Sequence, residues 1–262
     1  MSLHFPTWLQ RINDVPLELI PTLPYASVEK APCRGIAVQA TDLSASARPD
    51  GHLAFEQATF EIPCGCRAAL IGPNGSGKST VLRVLAGLIK PRSGKVQVLG
   101  SPPALGRSRV AYLSQRPTFT ENFPLQLRRL VQMGTYAHHG WFEECHHGNQ
   151  EVNRALDLMG LTDLADRPVH TLSGGQLQRG LLARATVQGA EILLLDEPFA
   201  ALDQASRDIV EKFLFDQGHP FTVIMATHDP ADSRRFDRIL EIKNGAITTS
   251  HSCAGHGPHH HA

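Results

Sequence analysis

Long hydrophobic runs are missing from this sequence. Its apolar stretches, such as Ile192–Leu195, are far shorter than the roughly 20 residues that a membrane-spanning helix needs. The N-terminal region carries Arg11, Asp14 and Glu18 among prolines, and it lacks the apolar core of a secretory signal peptide. The sequence therefore predicts a chain that neither spans a membrane nor carries a secretion signal.

An excess of charge of either sign is also missing. Lys and Arg together number 25, and Asp and Glu together also number 25. Because proteins that bind nucleic acid usually carry a basic excess, we expect no nucleic-acid partner. The chain has 262 residues, 42% of them hydrophobic, which predicts a soluble globular protein with a sizeable core.

Cysteine is sparse and unevenly placed. The five cysteines are Cys33, Cys64, Cys66, Cys145 and Cys253. An odd, dispersed set predicts reduced thiols in a cytosolic protein rather than a disulfide scaffold. Cys64 and Cys66 are separated by one residue, which is the wrong spacing for a redox C-x-x-C motif. We therefore expect a structural role for this pair, with metal binding as the weaker alternative.

Composition divides the chain into three regions. Residues 1–35 contain five prolines and are predicted to be a loosely ordered extension. Residues 36–249 alternate strand-like and helix-like segments, which predicts a parallel α/β core. Residues 250–262 are rich in histidine and are predicted to be a disordered tail.

Local patterns predict individual elements inside the middle region. Two strands flank the turn "RPDGH" between residues 36 and 62, and Asn244-Gly245 marks a hairpin turn. A helix follows Lys78, with Val81, Leu82, Leu85 and Leu88 predicted on its buried face. Residues from about 117 to 172 are predicted to form a helical insert.

The segment "GPNGSGKS" at 72–79 matches the G-x-x-x-x-G-K-[ST] phosphate loop, and it stands between a predicted strand and a predicted helix. Glycines allow backbone N–H groups to approach phosphate oxygens, and the helix N-terminus adds its dipole. Lys78 would then contact the β- and γ-phosphates, and the Ser79 hydroxyl would bind Mg²⁺.

The segment "EILLLDEP" reads as a strand buried on both faces that ends in two carboxylates. Asp196 would hold Mg²⁺, usually through water, and Glu197 would polarise an attacking water. Acidic residues end many strands, so this pattern gains its meaning from the phosphate loop that accompanies it.

A second glycine-rich helix start, "LSGGQ" at 172–176, raises the question of why one chain would need two phosphate-binding loops.

Three further polar residues complete the order of motifs along the chain. Gln115 follows a strand, Asp203 lies in "ALD" shortly after Glu197, and His228 ends an apolar strand.

Taken in this order and spacing, the motifs resemble those of the ATP-binding cassette ATPases over about residues 36–249. The resemblance implies an α/β fold: a phosphate-loop NTPase core with a RecA-like parallel sheet, an antiparallel β subdomain and a helical insert. It also implies an ATPase with ATP and Mg²⁺ as cofactors. In that family two cassettes pack head to tail, so "LSGGQ" would serve the nucleotide bound by the partner chain, which answers the question of the second phosphate-binding loop.

The resemblance assigns roles to individual residues. Glu197 would be the general base, Gln115 would contact Mg²⁺ and the attacking water, His228 would sense the γ-phosphate, and Asp203 would link the two sites. Mg²⁺ would be held by Ser79, Gln115 and Asp196. The nucleotide-binding residues would be Gly72, Pro73, Asn74, Gly75, Ser76, Gly77, Lys78, Ser79, Thr80, Ser173, Gly174, Gly175, Gln176 and Asp203.

The implied partners are a second copy of the chain, integral membrane permease subunits and, indirectly, an extracytoplasmic solute-binding protein. The implied location is the cytoplasmic face of the cell membrane, where the chain would be held by the permease. One position departs from the family pattern, because Ala47 stands where an aromatic residue usually stacks on adenine. Arg48 and His52 are the neighbouring side chains with a planar face that could replace it.

The segment "FPLQLRRLVQMGTYAHHGWF" resembles the corresponding part of cassettes that serve manganese, zinc or iron importers. The matching residues are Phe123, Pro124, Val131, Met133, Gly134, Tyr136, Gly140 and Trp141. The same residues would also suit an ordinary amphipathic helix and its loop, and iron-chelate and cobalamin importers share parts of the segment.

The positions of the histidines lead to a related hypothesis, that a loop and the tail of this chain bind a transition metal. His138, His139, His146 and His147 flank Cys145, and five more histidines lie in the tail with Cys253. Imidazole and thiolate suit zinc and similar ions. A solvated low-complexity end or an expression remnant explains the tail equally well.

Soluble cassette ATPases and phosphate-loop kinases are alternative classes that fit less well. Chromosome-maintenance ATPases need long coiled coils between their motifs, whereas little more than 50 residues separate Gln115 from Leu172. Translation-type ATPases usually carry two cassettes in one chain, and phosphate-loop kinases lack "LSGGQ". A role in transport is therefore expected ahead of a soluble, non-transport role.

Overall fold

The computed structural model describes residues 33–48, 51–115, 125–137, 148–200, 202–215, 221–228 and 235–251. The fold is built from two sheets. The smaller is antiparallel, in the order β2-β1-β4, and consists of β1 (Ile36–Ser46), β2 (Leu53–Pro63) and β4 (Ser93–Val98). The larger, in the order β5-β6-β7-β3-β8-β9, consists of β3 (Arg67–Ile71), β5 (Val110–Leu113), β6 (Ile192–Asp196), β7 (Thr222–Thr227), β8 (Arg238–Lys243) and β9 (Ala246–His251).

Adjacent strands of the larger sheet pair in parallel from β5 to β8, and β9 pairs antiparallel with β8. The described helices are α1 (Lys78–Leu85), α2 (Leu127–Gln132), α3 (Gly148–Leu158), α4 (Gly174–Val187) and α5 (Gln204–Phe215). Short 3₁₀ helices cover Arg107–Arg109, Met133–Ala137, Thr162–Leu164 and Val169–Thr171. These elements confirm the predicted α/β fold with a parallel core sheet and a separate antiparallel sheet.

The central strands of the larger sheet are buried on both faces. Every residue of β6 is buried, and its side chains alternate between two apolar clusters: Leu193 and Leu195 face helices α2 to α5, whereas Ile192 and Leu194 face α1 and the antiparallel sheet. A strand covered on both faces can be apolar throughout, which explains the unbroken run "ILLL". The central strands therefore lie between helices α2 to α5 on one face and α1 with the antiparallel sheet on the other.

The predicted hairpin is present. Asn244 and Gly245 join β8 to β9 and have φ angles of 52° and 79°, so both occupy the left-handed region. A two-residue turn with two positive φ angles is the type I′ turn that Asn-Gly favours. The last strand extends to His251, slightly beyond the predicted start of the tail.

The prediction for Leu88 is wrong. Helix α1 ends at Leu85, and Gly87 has a φ of 69°, so the helical spacing does not continue to the next apolar residue. Leu88 is consequently 57% exposed instead of packing with Val81 and Leu82.

The expectation of reduced cysteines is also wrong at one place. Cys33 and Cys64 form a disulfide, with their Cα atoms 5.5 Å apart. The backbone N–H of Cys64 donates to the carbonyl of Gly35 over 2.9 Å, so the two segments are already held together by the main chain. Cys66 is a free, buried thiol.

Several predictions fall on residues outside the described ranges. They include nearly all of the N-terminal extension, the histidine-bearing loop around Cys145, and the tail after His251. Among the helices that the structure describes, none has the length and apolar character needed to cross a bilayer.

Candidate nucleotide-binding site

The phosphate loop connects the buried strand β3 to the first turn of α1. Gly75 and Gly77 have φ angles of 79° and 105°, which only glycine adopts readily. A Cβ at Gly77 would lie 2.9 Å from the carbonyl oxygen of Ala54, and one at Gly72 would lie 2.6 Å from that of Ile242. The loop is thus pressed against the backbone of two strands, and the glycines are required by space as well as by conformation.

Lys78 lies beneath this loop. It is only 5% exposed, and its ammonium group donates to the carbonyls of Gly72 and Pro73 over 2.7 and 3.0 Å. Burying a lysine is costly unless its charge is hydrogen-bonded, and the loop carbonyls meet that need. The charge is therefore held at the same place where the loop and the helix N-terminus favour an anion.

A cleft of about 410 Å³ opens above the loop. It brings together residues from the loop, from α1, from the antiparallel sheet and from the ends of the core strands. Its lining residues are Ala47, Ala54, Asn74, Gly75, Gly77, Lys78, Ser79, Thr80, Arg83, Gln115 and Glu197.

Three predicted catalytic residues meet at the carboxyl ends of neighbouring strands. Gln115 follows β5, Glu197 follows β6, and His228 follows β7. The Gln115 amide donates to Glu197 Oε2 over 2.6 Å, and His228 Nδ1 lies 3.6 Å from Glu197 Oε1. Because the strands are parallel and adjacent, residues far apart in sequence converge on one carboxylate.

The backbone of Glu197 is strained. Its φ is 49°, in the left-handed region that residues other than glycine seldom adopt, and its N–H donates to the carbonyl of Ala226 over 3.0 Å. Such conformations cost on the order of 1–3 kcal/mol and concentrate at functional sites. The preceding Asp196 is 6% exposed at the end of the same strand.

The "LSGGQ" segment forms the N-terminus of α4 as a capping box. Ser173 Oγ accepts from the backbone N–H of Gln176 over 3.2 Å, and the Gln176 side chain accepts from the N–H of Ser173 over 3.0 Å. Neither residue lines the cleft described above. The cap leaves the glycine N–H groups of the first turn at the open end of the helix.

Asp203 is bound to the same region. Ser206 donates to its carboxylate through both the backbone N–H and the hydroxyl, each over 2.9 Å, and these bonds lower the pKa of Asp203. Gly175 packs on Ser206, since a Cβ at Gly175 would lie 2.9 Å from the Ser206 hydroxyl. The "LSGGQ" and "ALD" segments therefore form one surface of the chain.

Sequence reasoning missed two lining residues and misplaced two others. Arg83 lies one helical turn after Ser79, and that spacing would have indicated it. No local signal indicates Ala54, because only the packing of β2 against the loop brings it there. Arg48 and His52, suggested as replacements for an aromatic at Ala47, are exposed and are not among the described residues that line the cleft.

The donor chemistry near the loop suits Mg²⁺. The Ser79 hydroxyl, the Gln115 amide oxygen and the Asp196 carboxylate are hard oxygen ligands, which this ion prefers. Within the described part of the chain, no group of three or more His, Cys, Asp or Glu side chains is arranged to hold a metal on its own. A magnesium ion at this site would thus depend on phosphate oxygens as well as on the protein.

Comparison with known protein families gives one clear match. The family model described as ABC transporter matches residues 55–200. That range contains the phosphate loop, Gln115, "LSGGQ" and Glu197.

Curated relatives carry transport descriptions. A probable metal transport system ATP-binding protein of Chlamydia muridarum is 39% identical over 72% of this chain and 74% of its own length. The zinc transport system ATP-binding protein TroB of Treponema pallidum is 38% identical over 82% of this chain and 83% of its own. The manganese transport system ATP-binding protein MntB of Listeria innocua is 34% identical over 79% and 84%.

Among solved structures, a putative metal-chelate type ABC transporter in an inward-facing conformation has a TM-score of 0.72 and 32% identity. The alignment covers 83% of this chain and 84% of that one. Sequence and fold therefore agree on the same family.

Proposed function

The chain belongs to the ABC transporter family as an ATP-hydrolysing subunit, and from this premise we propose that it powers the import of a transition metal such as manganese, zinc or iron. The relatives described for zinc and manganese, at 38% and 34% identity, support the class of solute. The metal-chelate description of the structural neighbour supports a chelated metal as the second candidate.

The observation that carries the ATPase mechanism is the convergence of Gln115 and His228 on Glu197. We infer that the carboxylate orients a water molecule for attack on the γ-phosphate and accepts its proton. The Gln115 amide fixes one carboxylate oxygen over 2.6 Å, and His228 lies near the other. Catalysis of this kind depends on positioning and charge stabilisation, since phosphoryl transfer to water needs no covalent intermediate with the protein.

The opposite side of the cleft holds the phosphates. Lys78 would exchange its bonds to the loop carbonyls for bonds to the β- and γ-phosphates, which charge-assisted hydrogen bonds favour. Ser79, Gln115 and Asp196 would hold Mg²⁺, which supplies positive charge to the phosphate oxygens when bound.

The "LSGGQ" and "ALD" surface is proposed to complete the site of a second copy. Ser173, Gly174, Gly175, Gln176 and Asp203 do not line the cleft of their own chain, and the α4 N-terminus offers N–H groups suited to a phosphate. Each ATP would then lie between the phosphate loop of one protomer and this surface of its partner. Such a homodimer would close on ATP and open after hydrolysis.

A separate face is proposed to receive the membrane permease. Leu88, Leu105 and Tyr136 are 57%, 79% and 55% exposed. Their segments are bound to one another, because Arg107 donates to the carbonyl of Gly87 and the Gln188 amide donates to that of Ser108 over 3.0 Å.

The segment that carries Tyr136 packs against the C-terminal end of α4. A Cβ at Gly134 would lie 2.5 Å from the carbonyl oxygen of Arg184 in that helix. Exposed apolar side chains on contacting segments suit a partner that buries them. This face would hold the chain at the cytoplasmic side of the membrane, and a solute-binding protein would act on the other side.

The experiment that tests the proposal removes the gene and measures cellular metal. We expect cells lacking this chain to contain less manganese, zinc or iron under limitation, as measured by mass spectrometry of whole cells. The wild-type gene should restore the metal and Lys78→Ala should not. Unchanged content of all three metals would contradict the proposed solute class.

A further inference from the structure

Tyr112 is a partly buried polar residue that has no role in the mechanism proposed above. It lies on β5 directly beside Leu194 of β6, and its ring packs on the apolar cluster that faces α1. Its hydroxyl oxygen is shielded from solvent, and no described group meets the geometry of a hydrogen bond with it. Because buried side-chain hydroxyls nearly always have such a partner, this exception needs an explanation.

Two charged side chains of the nucleotide site lie beside this hydroxyl. Burial raises the pKa of Tyr112, the guanidinium of Arg83 lowers it in part, and the charge of Asp196 raises it further. The strand register agrees, since Tyr112 pairs with Leu194, and Asp196 lies two residues further along the same face of β6. Arg83 lies on α1, one turn after Ser79, and lines the cleft.

A tyrosine hydroxyl can bridge these two charged groups. It both donates and accepts hydrogen bonds, whereas a guanidinium only donates and an ionised carboxylate only accepts. Arg83 can therefore donate to the Tyr112 oxygen while the hydroxyl proton is given to Asp196. Tyr112 is not among the described residues that line the cleft, so any effect on a bound nucleotide must pass through a neighbouring group.

We propose that Tyr112 is a positioning residue for Mg²⁺: in the loaded site its hydroxyl donates to Asp196 and orients that carboxylate toward the ion. This inference rests on the proposed ATPase function and deepens it. Groups that orient a metal ligand through a hydrogen bond typically change metal affinity by about 10- to 100-fold when they are removed. Tyr112 would therefore set how much Mg²⁺ the site needs without touching the nucleotide.

Calorimetry with the full-length chain and AMP-PNP, an ATP analogue that is not hydrolysed, measures this need. The affinity for AMP-PNP is determined at a series of Mg²⁺ concentrations, which gives the concentration that produces half of the full Mg²⁺ effect. Tyr112→Phe should raise that concentration at least about fivefold and should leave the affinity without Mg²⁺ unchanged. Its midpoint of urea unfolding should match that of the wild type, because the ring and its packing are kept.

Tyr136→Phe is the matched control. It removes the hydroxyl of a tyrosine that is exposed and does not line the cleft, so it should change neither the Mg²⁺ requirement nor the urea midpoint.

A double-mutant cycle tests whether Tyr112 acts through Asp196. Asp196→Asn keeps the shape and removes the charge that the hydroxyl would orient, so it should raise the Mg²⁺ requirement by itself. In that background Tyr112→Phe should have a smaller effect than in the wild type, because residues that act as one unit are not additive. An effect of equal size in both backgrounds would overturn the assignment to Asp196.

The outcomes separate this inference from the function on which it rests. A change of less than about fivefold in Tyr112→Phe, or AMP-PNP binding weakened equally with and without Mg²⁺, would overturn the inference alone. Wild-type protein that binds no AMP-PNP at any Mg²⁺ concentration would overturn the proposed function itself.

Discussion

At the scale of single residues, Glu197 is the group on which we expect turnover to depend. Its carboxylate accepts from Gln115 and lies near His228, and its backbone is held in a left-handed conformation. Glu197→Gln removes the basic oxygen and keeps nearly the same shape. We therefore expect the hydrolysis rate to fall by at least about 100-fold while ATP binding is retained.

The measurements are phosphate release and equilibrium binding of ATP on the same preparation. Lys78→Ala is the contrasting variant, since it should lose binding through the loss of a charge-assisted contact of about 1.5–3 kcal/mol. Hydrolysis at the wild-type rate in Glu197→Gln would show that another group is the base.

Cys66 gives a second prediction at this scale. Burial, with a smaller effect of the Asp237 charge, raises the pKa of its thiol to about 12. A raised thiol pKa keeps the group neutral at a pH of about 8, and the thiolate is the reactive form. Iodoacetamide should therefore label Cys66 at least about 100-fold more slowly in the native protein than in guanidinium, as measured by peptide mass spectrometry. Equal rates would show that the thiol is accessible in the native state.

Several site residues could be predicted singly because each belongs to an ordered motif, as Lys78, Gln115, Glu197 and His228 do. Their role assignments remain predictions. Sequence reasoning missed two residues that line the cleft. Arg83 could have been found from its helical spacing to Ser79, whereas no local signal indicates Ala54. The order of motifs along the chain does not indicate that Ala54 on β2 packs against the phosphate loop.

At the scale of elements, Gly134 sets how closely the Met133–Ala137 helix packs on α4. A Cβ there would lie 2.5 Å from the carbonyl of Arg184 and 3.0 Å from the N–H nitrogen of Gln188, and backbone atoms cannot move aside as side-chain ends can. Gly134→Ala should therefore lower the free energy of unfolding by about 1–3 kcal/mol.

Urea denaturation followed by fluorescence measures this change. Gly106→Ala is the matched control, because the nearest atom to its Cβ would be 3.8 Å away and its φ of −96° suits alanine. Its unfolding free energy should stay within about 0.5 kcal/mol of wild type. Equal effects of the two substitutions would mean that the helices separate without cost.

Elements with a strong local signal were predictable. The Asn244-Gly245 turn and the apolar strand β6 carry their conformation in a few adjacent residues. Leu88 was not predictable from helical spacing alone. The spacing predicts a helix that includes Leu88, but α1 ends at Leu85, and Gly87, with its positive φ, follows. The Cys33–Cys64 disulfide was missed because it depends on the approach of two segments that are 31 residues apart in sequence.

At the scale of the whole molecule, the "LSGGQ" surface is expected to act on the nucleotide of a partner chain. Ser173 caps α4, so a test must preserve the cap. Asp and Asn both cap helices well. Of the variants Ser173→Asp and Ser173→Asn, only the first would place a negative charge where we propose that the γ-phosphate of the partner chain's ATP lies. In the Glu197→Gln background, ATP should therefore produce dimers of the Ser173→Asn variant, whose cap is neutral, and should not produce dimers of the Ser173→Asp variant.

Sedimentation velocity with and without ATP distinguishes the two variants. Because the "LSGGQ" surface lies outside the cleft of its own chain, the monomer affinity for ATP should be the same in both. A large loss of monomer affinity in Ser173→Asp would instead place Ser173 in the site of its own chain.

The central claim is that this chain couples ATP hydrolysis to metal import. The most direct measurement is the uptake of radioactive manganese, zinc or iron into proteoliposomes that contain the chain, its permease and its solute-binding protein. The account predicts uptake of at least one of these metals that requires ATP on the side of the chain and is abolished by Glu197→Gln. Equal uptake with the wild-type chain and with Glu197→Gln, or ATP hydrolysis without uptake of any of the three, would contradict it.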